Sequence, residues 1–268
     1  ACGIAALGID HERFLLAPET GAPAEPLARI SFEKAGIAKP GTVLVTQSYP
    51  PEAAREIAAA ARKASAPLAM RGKAWDCSAD NRLLYHDAEG TLTLPLPALP
   101  GAHQADNAAL AVAMLRQQRR IVVSPEGMAK GIAAARWPAR LQLLGDGPLC
   151  RLVPGREVWL DGGHNPDAGA AIARHFAGQR LHLVLGMLAA KAPGALTEPL
   201  GERIVSLSVV PVPGHDHHRA SAFGPDALGF GTIGAALIAL PDDGLPVLIA
   251  GSLYLAGEVL RQNGDLPD

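Results

Sequence analysis

Apolar residues recur along the chain as short continuous runs separated by stretches of helical spacing. The run TVLVTQ (42–47) predicts a buried strand, and the Ala-rich stretch after it (49–66) opens with Pro and Glu as helices do. An apolar run then returns at PLAM (67–70). This order of strand, helix and strand predicts a βαβ unit.

The rest of the chain continues this alternation. Prolines in the stretch 75–101 indicate irregular strands at an edge, and residues 103–118 and 124–136 predict two helices. Beyond WPAR (137–140), four apolar runs predict strands, most of them followed by a helix-compatible segment: EVWLDGG (157–163), LHLVLGML (181–188), RIVSLSVVP (203–211) and PVLIAGS (246–252). We therefore predict an α/β fold with a second parallel sheet, and two domains, 1–137 and 138–268.

Composition narrows the class of partner. The 268 residues include 26 acidic and 24 basic side chains, so no large field of one sign attracts nucleic acid or an anionic membrane. We expect small-molecule partners. Cys2, Cys77 and Cys150 are isolated, which argues against a disulfide scaffold or a structural zinc site and favours a cytoplasmic location. We read no membrane span or signal segment in the sequence.

One segment has the residues of a ligand site. In LDGGHNPDAG (160–169), Asp161 ends an apolar strand and His164 follows two glycines. Asn165 suits a helix N-cap and Pro166 the first helical position, which would place free N–H groups where α/β sheets bind anions. Asp161 could then accept from a ribose and His164 donate to a phosphate. The alternative is a tight turn with a solvated histidine.

Two other segments carry candidate metal ligands. In ISFEKAGIAKPG (30–41), Lys34 is either an exposed cation near a helix end or an amine that takes up carbon dioxide, forming a carbamate whose oxygens suit Mg²⁺. In LGIDHERFL (7–15), Asp10 and His11 follow an apolar run. An isolated Asp-His pair in such a position more often has a structural role than a metal-binding one.

Polar residues also precede a small-sided helix and join the two predicted domains. His103, Gln104 and Asn107 lie about one helical turn apart, and an amide such as Asn107 can read the edge of adenine. The alternative is helix capping by Gln104 or Asp106. Arg140 in WPARLQ could clamp a phosphate or brace the domain interface.

Seven strings taken together resemble, in order and spacing, the folylpolyglutamate synthase and dihydrofolate synthase family of the Mur ligase superfamily. They are LGIDH, SFEKAGIAKPG, LPGAHQADNAALA, WPARLQ, LDGGHNPDAG, GMLAAK and IAGSLYLAGEVL. The resemblance covers nearly the whole chain. It implies the carboxyl-terminal part of a P-loop-type ATP-binding α/β domain, followed by a Rossmann-like α/β domain that helps to bind glutamate.

The resemblance also implies a reaction and roles for residues. The reaction is ATP-dependent: a folate carboxylate, or dihydropteroate in a dihydrofolate synthase, becomes an acyl phosphate that the amine of L-glutamate captures, with Mg²⁺ as cofactor. The roles implied are His11 as a magnesium ligand, Lys34 as the carbamylated lysine, Asn107 as an adenine contact, Arg140 as a phosphate contact, and Asp161 and His164 as a nucleotide-facing pair. Lys34 and His164 are the candidate catalytic residues. We expect a monomer.

Several features depart from the family pattern. No G-x-x-x-x-G-K-[ST] phosphate loop occurs in the sequence, and the chain begins on an apolar run without Met. We therefore expect a truncated chain, inactive alone, that lacks roughly the first third of the usual enzyme. The family's DGAHNP is DGGHNP here, and GMLAAK lacks the acidic residue beside Lys191.

Three alternatives remain. The first is a non-catalytic remnant or nucleotide-binding module of the same family. The second is a cell-wall precursor ligase of the superfamily, which the folate-type strings disfavour. The third is an unrelated metal hydrolase built on Asp10, His11 and His164, whose residues would lie in different predicted domains.

Overall fold

The computed structural model describes residues 1–8 and 19–266. The chain divides into two compact units, residues 1–98 with 102–136 and residues 99–101 with 137–268. Each unit has its own hydrophobic clusters. Within the described ranges, no helix is long and apolar enough to cross a membrane.

The first unit alternates strands and helices up to a three-stranded meander, which two helices follow. Its described elements are, in chain order, β1 (Cys2–Ile4), α1 (Pro26–Ala35), β2 (Leu44–Thr46), α2 (Pro51–Lys63), β3 (Leu68–Met70), β4 (Trp75–Ala79), β5 (Leu83–Asp87), β6 (Gly90–Leu94), α3 (His103–Arg116) and α4 (Pro125–Ala134).

The predicted βαβ unit is confirmed. Strands β1, β2 and β3 form a parallel sheet in that order, and α2 connects β2 to β3. Helix α2 buries Ala53, Ile57 and Ala61, which are spaced four residues apart and so form one face. Ile57 and Ala61 of this face join Leu44 of β2 in one hydrophobic cluster. The small side chains allow the helix to pack closely on the sheet.

The stretch 75–101 is more regular than its sequence indicated, so the prediction of irregular strands was wrong, although β4 and β6 do lie at the edges of their sheet. Strands β4, β5 and β6 form an antiparallel sheet, and the prolines lie beyond the end of β6. Leu83 and Tyr85 are buried while Leu84 and His86 are exposed, which is the alternation of a sheet with one covered face. Helix α3 contributes to the hydrophobic cluster on that face.

The second unit is a mainly parallel sheet with helices on both faces. Its described elements are β7 (Gln142–Leu143), a 3₁₀ turn (Cys150–Leu152), β8 (Val158–Leu160), α5 (Pro166–His175), β9 (Leu181–Leu185), α6 (Gly194–Leu200), a 3₁₀ turn (Gly201–Arg203), β10 (Ile204–Val209), a 3₁₀ turn (Ala220–Phe223), β11 (Leu228–Gly229), α7 (Ile233–Ile238), β12 (Val247–Ala250) and α8 (Leu253–Asn263).

The second parallel sheet is likewise confirmed. The strand order is β11-β10-β9-β12-β8-β7, and every pairing is parallel except that of β7 with β8. Helices α7 and α8 cover one face together with Val184 and Ile249. Helices α5 and α6 share the opposite cluster with Leu183 and Leu185. Neighbouring residues of β9 therefore point to opposite faces, as in α/β domains with two helical layers.

Candidate functional site

The candidate site of the second unit lies at the carboxyl edge of its sheet. Strands β8 and β12 are neighbours, but α5, which follows β8, covers one face and α8, which follows β12, covers the other. Adjacent connections that leave in opposite directions open a crevice at the strand ends, where α/β sheets bind ligands. The segment 161–165 occupies the end of β8 in this crevice.

Asp161 is buried at the end of β8, with 6% of its surface exposed. Its Oδ2 accepts the backbone N–H of Leu141 at 2.8 Å, and its Oδ1 accepts the N–H of Gly163 at 2.6 Å. Both carboxylate oxygens are therefore engaged by the backbone of this unit. This geometry makes Asp161 a positioning residue for the segment that precedes β7, and its predicted contact with a ribose stays a prediction.

Arg140 lies in the segment that Asp161 holds. Its neighbours Ala139 and Leu141 have positive φ angles of 55° and 45°, a conformation that costs energy for residues other than glycine. The guanidinium donates to the carbonyl of Ala139 at 3.2 Å, and its Nη1 would lie 3.2 Å from a Cβ at Gly162. Arg140, Asp161 and the Gly162 turn thus meet, and a cation lies beside the crevice.

Glycine at position 163 leaves room for the carboxylate. A Cβ there would come within 2.7 Å of both Asp161 Oδ1 and the Cβ of Ala168. Such approaches are too close for a carbon atom, so an alanine at this position requires the turn or the helix to shift. The DGGHNP form of the motif therefore fits the turn as it is built here.

The start of α5 has the predicted cap. Asn165 is the N-cap, its Oδ1 accepts the N–H of Ala168 at 2.9 Å, and Pro166 takes the first helical position. These two features also reduce the number of free N–H groups, because Pro166 has none and that of Ala168 is bonded. The exposed carboxylate of Asp167 adds negative charge at the same end. The helix N-terminus is thus a weaker anion site than the sequence indicated.

His164 precedes this cap and is partly exposed. Its Nδ1 lies 3.1 Å from the carbonyl oxygen of Gly162, so Nδ1 carries the hydrogen and donates. The bond fixes the ring beside the turn and specifies the tautomer. In the second unit the structure therefore brings together three residues that the sequence singled out, Arg140, Asp161 and His164.

Two further loops of the second unit meet at the carboxyl ends of β9 and β10. The N–H of His218 donates to the carbonyl of Met187, and its Nε2 donates to the carbonyl of Lys191 at 2.7 Å. The rings of His215 and Tyr254 are in contact, with centroids 3.8 Å apart and planes tilted by 33°. Sequence reasoning left these histidines unassigned, although the adjacency of β9 and β10 would have predicted that their following loops meet.

In the first unit, Lys34 is exposed in the last turn of α1. Its neighbour Glu33 accepts from the buried Arg29 at 2.9 Å. No described residue forms a hydrogen bond or ion pair with the Lys34 ammonium, so both interpretations of this lysine stay open. His11 and Asp10 lie outside the described residues. Within the described part of the chain, no three His, Cys, Asp or Glu side chains form a group that could hold a metal.

Asn107 is exposed on the second turn of α3, and its Nδ2 donates to the Oε1 of the buried Gln104 at 3.1 Å. The N-cap of α3 is Ala102, which makes no side-chain capping bond, so neither Gln104 nor Asp106 caps this helix. The capping alternative is therefore wrong. No described contact joins Lys34 to Asn107.

Asp106 instead belongs to a polar network that sequence reasoning missed. Arg71, at the end of β3, donates to Asp106 at 2.7 Å, to Asp76 at 3.0 Å and to Gln47 at 3.1 Å. Gln47, at the end of β2, donates to the carbonyl oxygen of Asp106 at 2.8 Å. The signal was a polar residue after each of two predicted parallel strands, since such ends lie at one sheet edge.

Arg71 is the cation of this network and donates to both of its carboxylates, Asp76 and Asp106. Its hydrogen bond to Asp76, together with that of the Cys77 N–H, lowers the pKa of the Asp76 carboxyl below its ordinary value. Burial, opposed by the nearby Arg71, raises the pKa of the Cys77 thiol. Cys77 is therefore a neutral thiol at neutral pH, and the network is a fixed support for α3.

Comparison with known proteins finds folylpolyglutamate synthases and dihydrofolate synthases among the relatives of this chain. No family model matches the sequence. The folylpolyglutamate synthase of Lacticaseibacillus casei is 30% identical over 281 residues, which cover 94% of this chain and 59% of the relative. Escherichia coli FolC in complex with DHPP and ADP superposes with a TM-score of 0.77 at 27% identity, over 97% of this chain and 60% of FolC.

A third relative was solved with more ligands. The bifunctional folylpolyglutamate synthase/dihydrofolate synthase with Mn, AMPPNP and L-glutamate bound superposes with a TM-score of 0.73 at 25% identity, over 91% of this chain and 58% of the enzyme. The chain thus spans about three fifths of the length of these relatives.

Proposed function

We propose that this chain, a member of the folylpolyglutamate synthase and dihydrofolate synthase family, supplies the adenine- and glutamate-side parts of an ATP-dependent ligase that adds L-glutamate to folate. ATP would activate the folate carboxylate by phosphorylation, and the amine of L-glutamate would then form the amide bond. The observation that carries the proposal is the meeting of Arg140, Asp161 and His164 at the carboxyl edge of a sheet in a chain with these relatives.

Each of these three residues has a distinct task in the proposal. Arg140 binds phosphate oxygens through its fork of N–H donors. Asp161 holds the strained segment around Arg140 in place through the Leu141 N–H and shapes the turn through the Gly163 N–H. His164 presents its imidazole to the nucleotide, in a ring orientation set by the Gly162 carbonyl. Their contribution is therefore positioning and electrostatic stabilisation.

The residues of the first unit complete the proposal. Asn107 would contact the adenine base. Lys34, as a carbamate, and His11 would hold Mg²⁺, which would neutralise phosphate charge. The described residues do not by themselves form a metal site, so we assign no step of the reaction to this ion.

The activity is tested with labelled L-glutamate. We expect the full-length protein to incorporate the label into folate only when ATP is present, with release of phosphate. The same assay with dihydropteroate as acceptor determines whether the protein has dihydrofolate synthase activity as well as folylpolyglutamate synthase activity. Because the 268 residues contain no phosphate loop string, we expect these residues alone to bind nucleotide without turnover. ATP-independent incorporation, or none with the full-length protein, would contradict the proposal.

The phosphate contact is tested by Arg140→Ala, with ATP affinity measured by isothermal titration calorimetry. Loss of a charged hydrogen-bond donor predicts a roughly tenfold or greater loss of affinity. Arg180→Ala is the matched control, because Arg180 is exposed immediately before β9, at the opposite edge of the sheet. Equal affinities of the two variants would remove Arg140 from the nucleotide site.

A further inference from the structure

The buried amide of Gln104 is the described hydrogen-bond partner of the exposed amide of Asn107. Only 8% of the Gln104 surface is exposed to solvent, and its Oε1 lies 3.1 Å from the Asn107 Nδ2. The two side chains make no other hydrogen bond with a described residue. Asn107 therefore keeps its Oδ1 and one Nδ2 hydrogen available, with its amide plane held by a residue that solvent hardly reaches.

The start of α3, which carries both side chains, is hydrogen-bonded to the neighbouring strand ends at two points. The Asp106 carboxylate accepts from Arg71 at 2.7 Å, and the Asp106 carbonyl oxygen accepts from Gln47 at 2.8 Å. These bonds tie the start of α3 to the ends of β2 and β3. Because the backbone between Gln104 and Asn107 is fixed in this way, the bond between their side chains fixes the direction of the Asn107 amide.

We propose that Gln104 is a positioning residue that sets the preference of the site for a 6-aminopurine. The proposal rests on the proposed function, in which Asn107 contacts the base of the nucleotide. The amide of Asn107 offers one acceptor and one donor, which match the 6-amino group and N7 of adenine. A 6-oxopurine presents an acceptor in place of the amino group, and an amide whose direction is fixed cannot turn to suit it.

Two substitutions of nearly equal volume separate positioning from folding. Gln104→Leu removes the acceptor for Asn107, whereas Gln104→Glu keeps an acceptor oxygen at the same place. Dissociation constants for ATP and for inosine triphosphate, which differ at position 6 of the base, are measured by isothermal titration calorimetry. Thermal unfolding of each variant accompanies the titration and reports whether the fold is retained.

The expected result is a change in the ratio of the two affinities. One hydrogen bond corresponds to an affinity change of about five- to tenfold, so Gln104→Leu should raise the dissociation constant of ATP by that factor. The dissociation constant of inosine triphosphate should rise by less than about twofold. Gln104→Glu should retain the preference for ATP. In an Asn107→Ala background, Gln104→Leu should have no further effect on the ratio, because the residue acts through Asn107.

Three outcomes would overturn the inference. If Gln104→Leu weakens both nucleotides equally, or if Gln104→Glu loses the preference as Gln104→Leu does, Gln104 does not hold the acceptor–donor pair as proposed. If the unaltered protein binds neither nucleotide, the proposed function itself fails, and the inference fails with it. In the first two cases the unaltered protein still binds ATP, so failure of the inference is distinguishable from failure of the proposed function.

Discussion

Replacement of Asp161 by alanine removes the acceptor of two buried backbone N–H groups. The carboxylate accepts from Leu141 at 2.8 Å and from Gly163 at 2.6 Å, and both bonds are shielded from water. Leu141 has a φ angle of 45°, so its segment stays in place only while such bonds hold it. Asp161→Ala should therefore destabilise the second unit and release the segment that carries Arg140.

The magnitude follows from the two orphaned groups. Each buried N–H without an acceptor costs about 1–3 kcal/mol, or about 2–6 kcal/mol for both. Relaxation of Leu141 out of the left-handed region returns roughly 1–3 kcal/mol. We expect a net loss of about 1–3 kcal/mol in the free energy of unfolding. Asp161→Asn keeps one acceptor oxygen, and its loss should be smaller.

Urea unfolding followed by tryptophan fluorescence measures this loss, because Trp159 of β8 lies close to the site in sequence. Hydrogen exchange of the Leu141 and Gly163 amides tests the cause. Asp226→Ala is the control, since Asp226 is exposed and its removal should change stability by less than about 0.5 kcal/mol. A loss below about 1 kcal/mol for Asp161→Ala, with unchanged protection of both amides, would refute the reasoning.

Two further predictions concern ion pairs elsewhere in the two units. Asp87→Ala should destabilise the first unit by about 3 kcal/mol, the lower end of the cost of breaking a buried pair. The mostly buried guanidinium of Arg116 loses two 2.6 Å bonds to Asp87 and keeps only the 3.4 Å pair with the exposed Glu89. The double variant Asp87→Leu/Arg116→Met should recover most of the lost free energy of unfolding, as measured in urea. A double variant that is as unstable as Asp87→Ala would contradict the argument. In the second unit, the hydrogen bond from His182 lowers the pKa of Asp243, so its contribution to stability is present above the ordinary aspartate pKa and is lost as pH falls through the lowered one. In Asp243→Asn, the free energy of unfolding should fall less steeply as pH is lowered. If its fall at acidic pH is unchanged, the pair of His182 and Asp243 does not cause it.

The predictions from sequence succeeded where the determining interactions are local. Asn165 and Pro166 were identified as the start of α5 because an N-cap bonds to an N–H only three residues away. Helix α2 was predicted because Ala53, Ile57 and Ala61 repeat at helical spacing. The fold class followed from the order of such elements. Each of these features needs only a short window of sequence.

The errors arose where the bonding partner of a side chain is distant in sequence, or where prolines were given too much weight as strand breakers. The prolines after β6 led us to expect irregular strands, although buried Leu83 and Tyr85 alternate with exposed neighbours as in a regular strand. The pair of Asp87 and Arg116 spans 29 residues, so no local pattern predicts it. The position of Arg71 after a predicted strand indicated the sheet edge but not its partners, because two of them, Gln47 and Asp106, approach it only in the folded unit.

The structure also explains why two distant strings behave as one element of the site. WPARLQ and LDGGHNPDAG are separated by about twenty residues, yet Asp161 of the second accepts the N–H of Leu141 in the first. Arg140 lies between two left-handed residues, an arrangement that its own side chain does not enforce. Its position therefore depends on Asp161, and Asp161 depends on the space left by Gly163. Under the proposed function, substitution of Asp161 should therefore lower nucleotide affinity through displacement of Arg140.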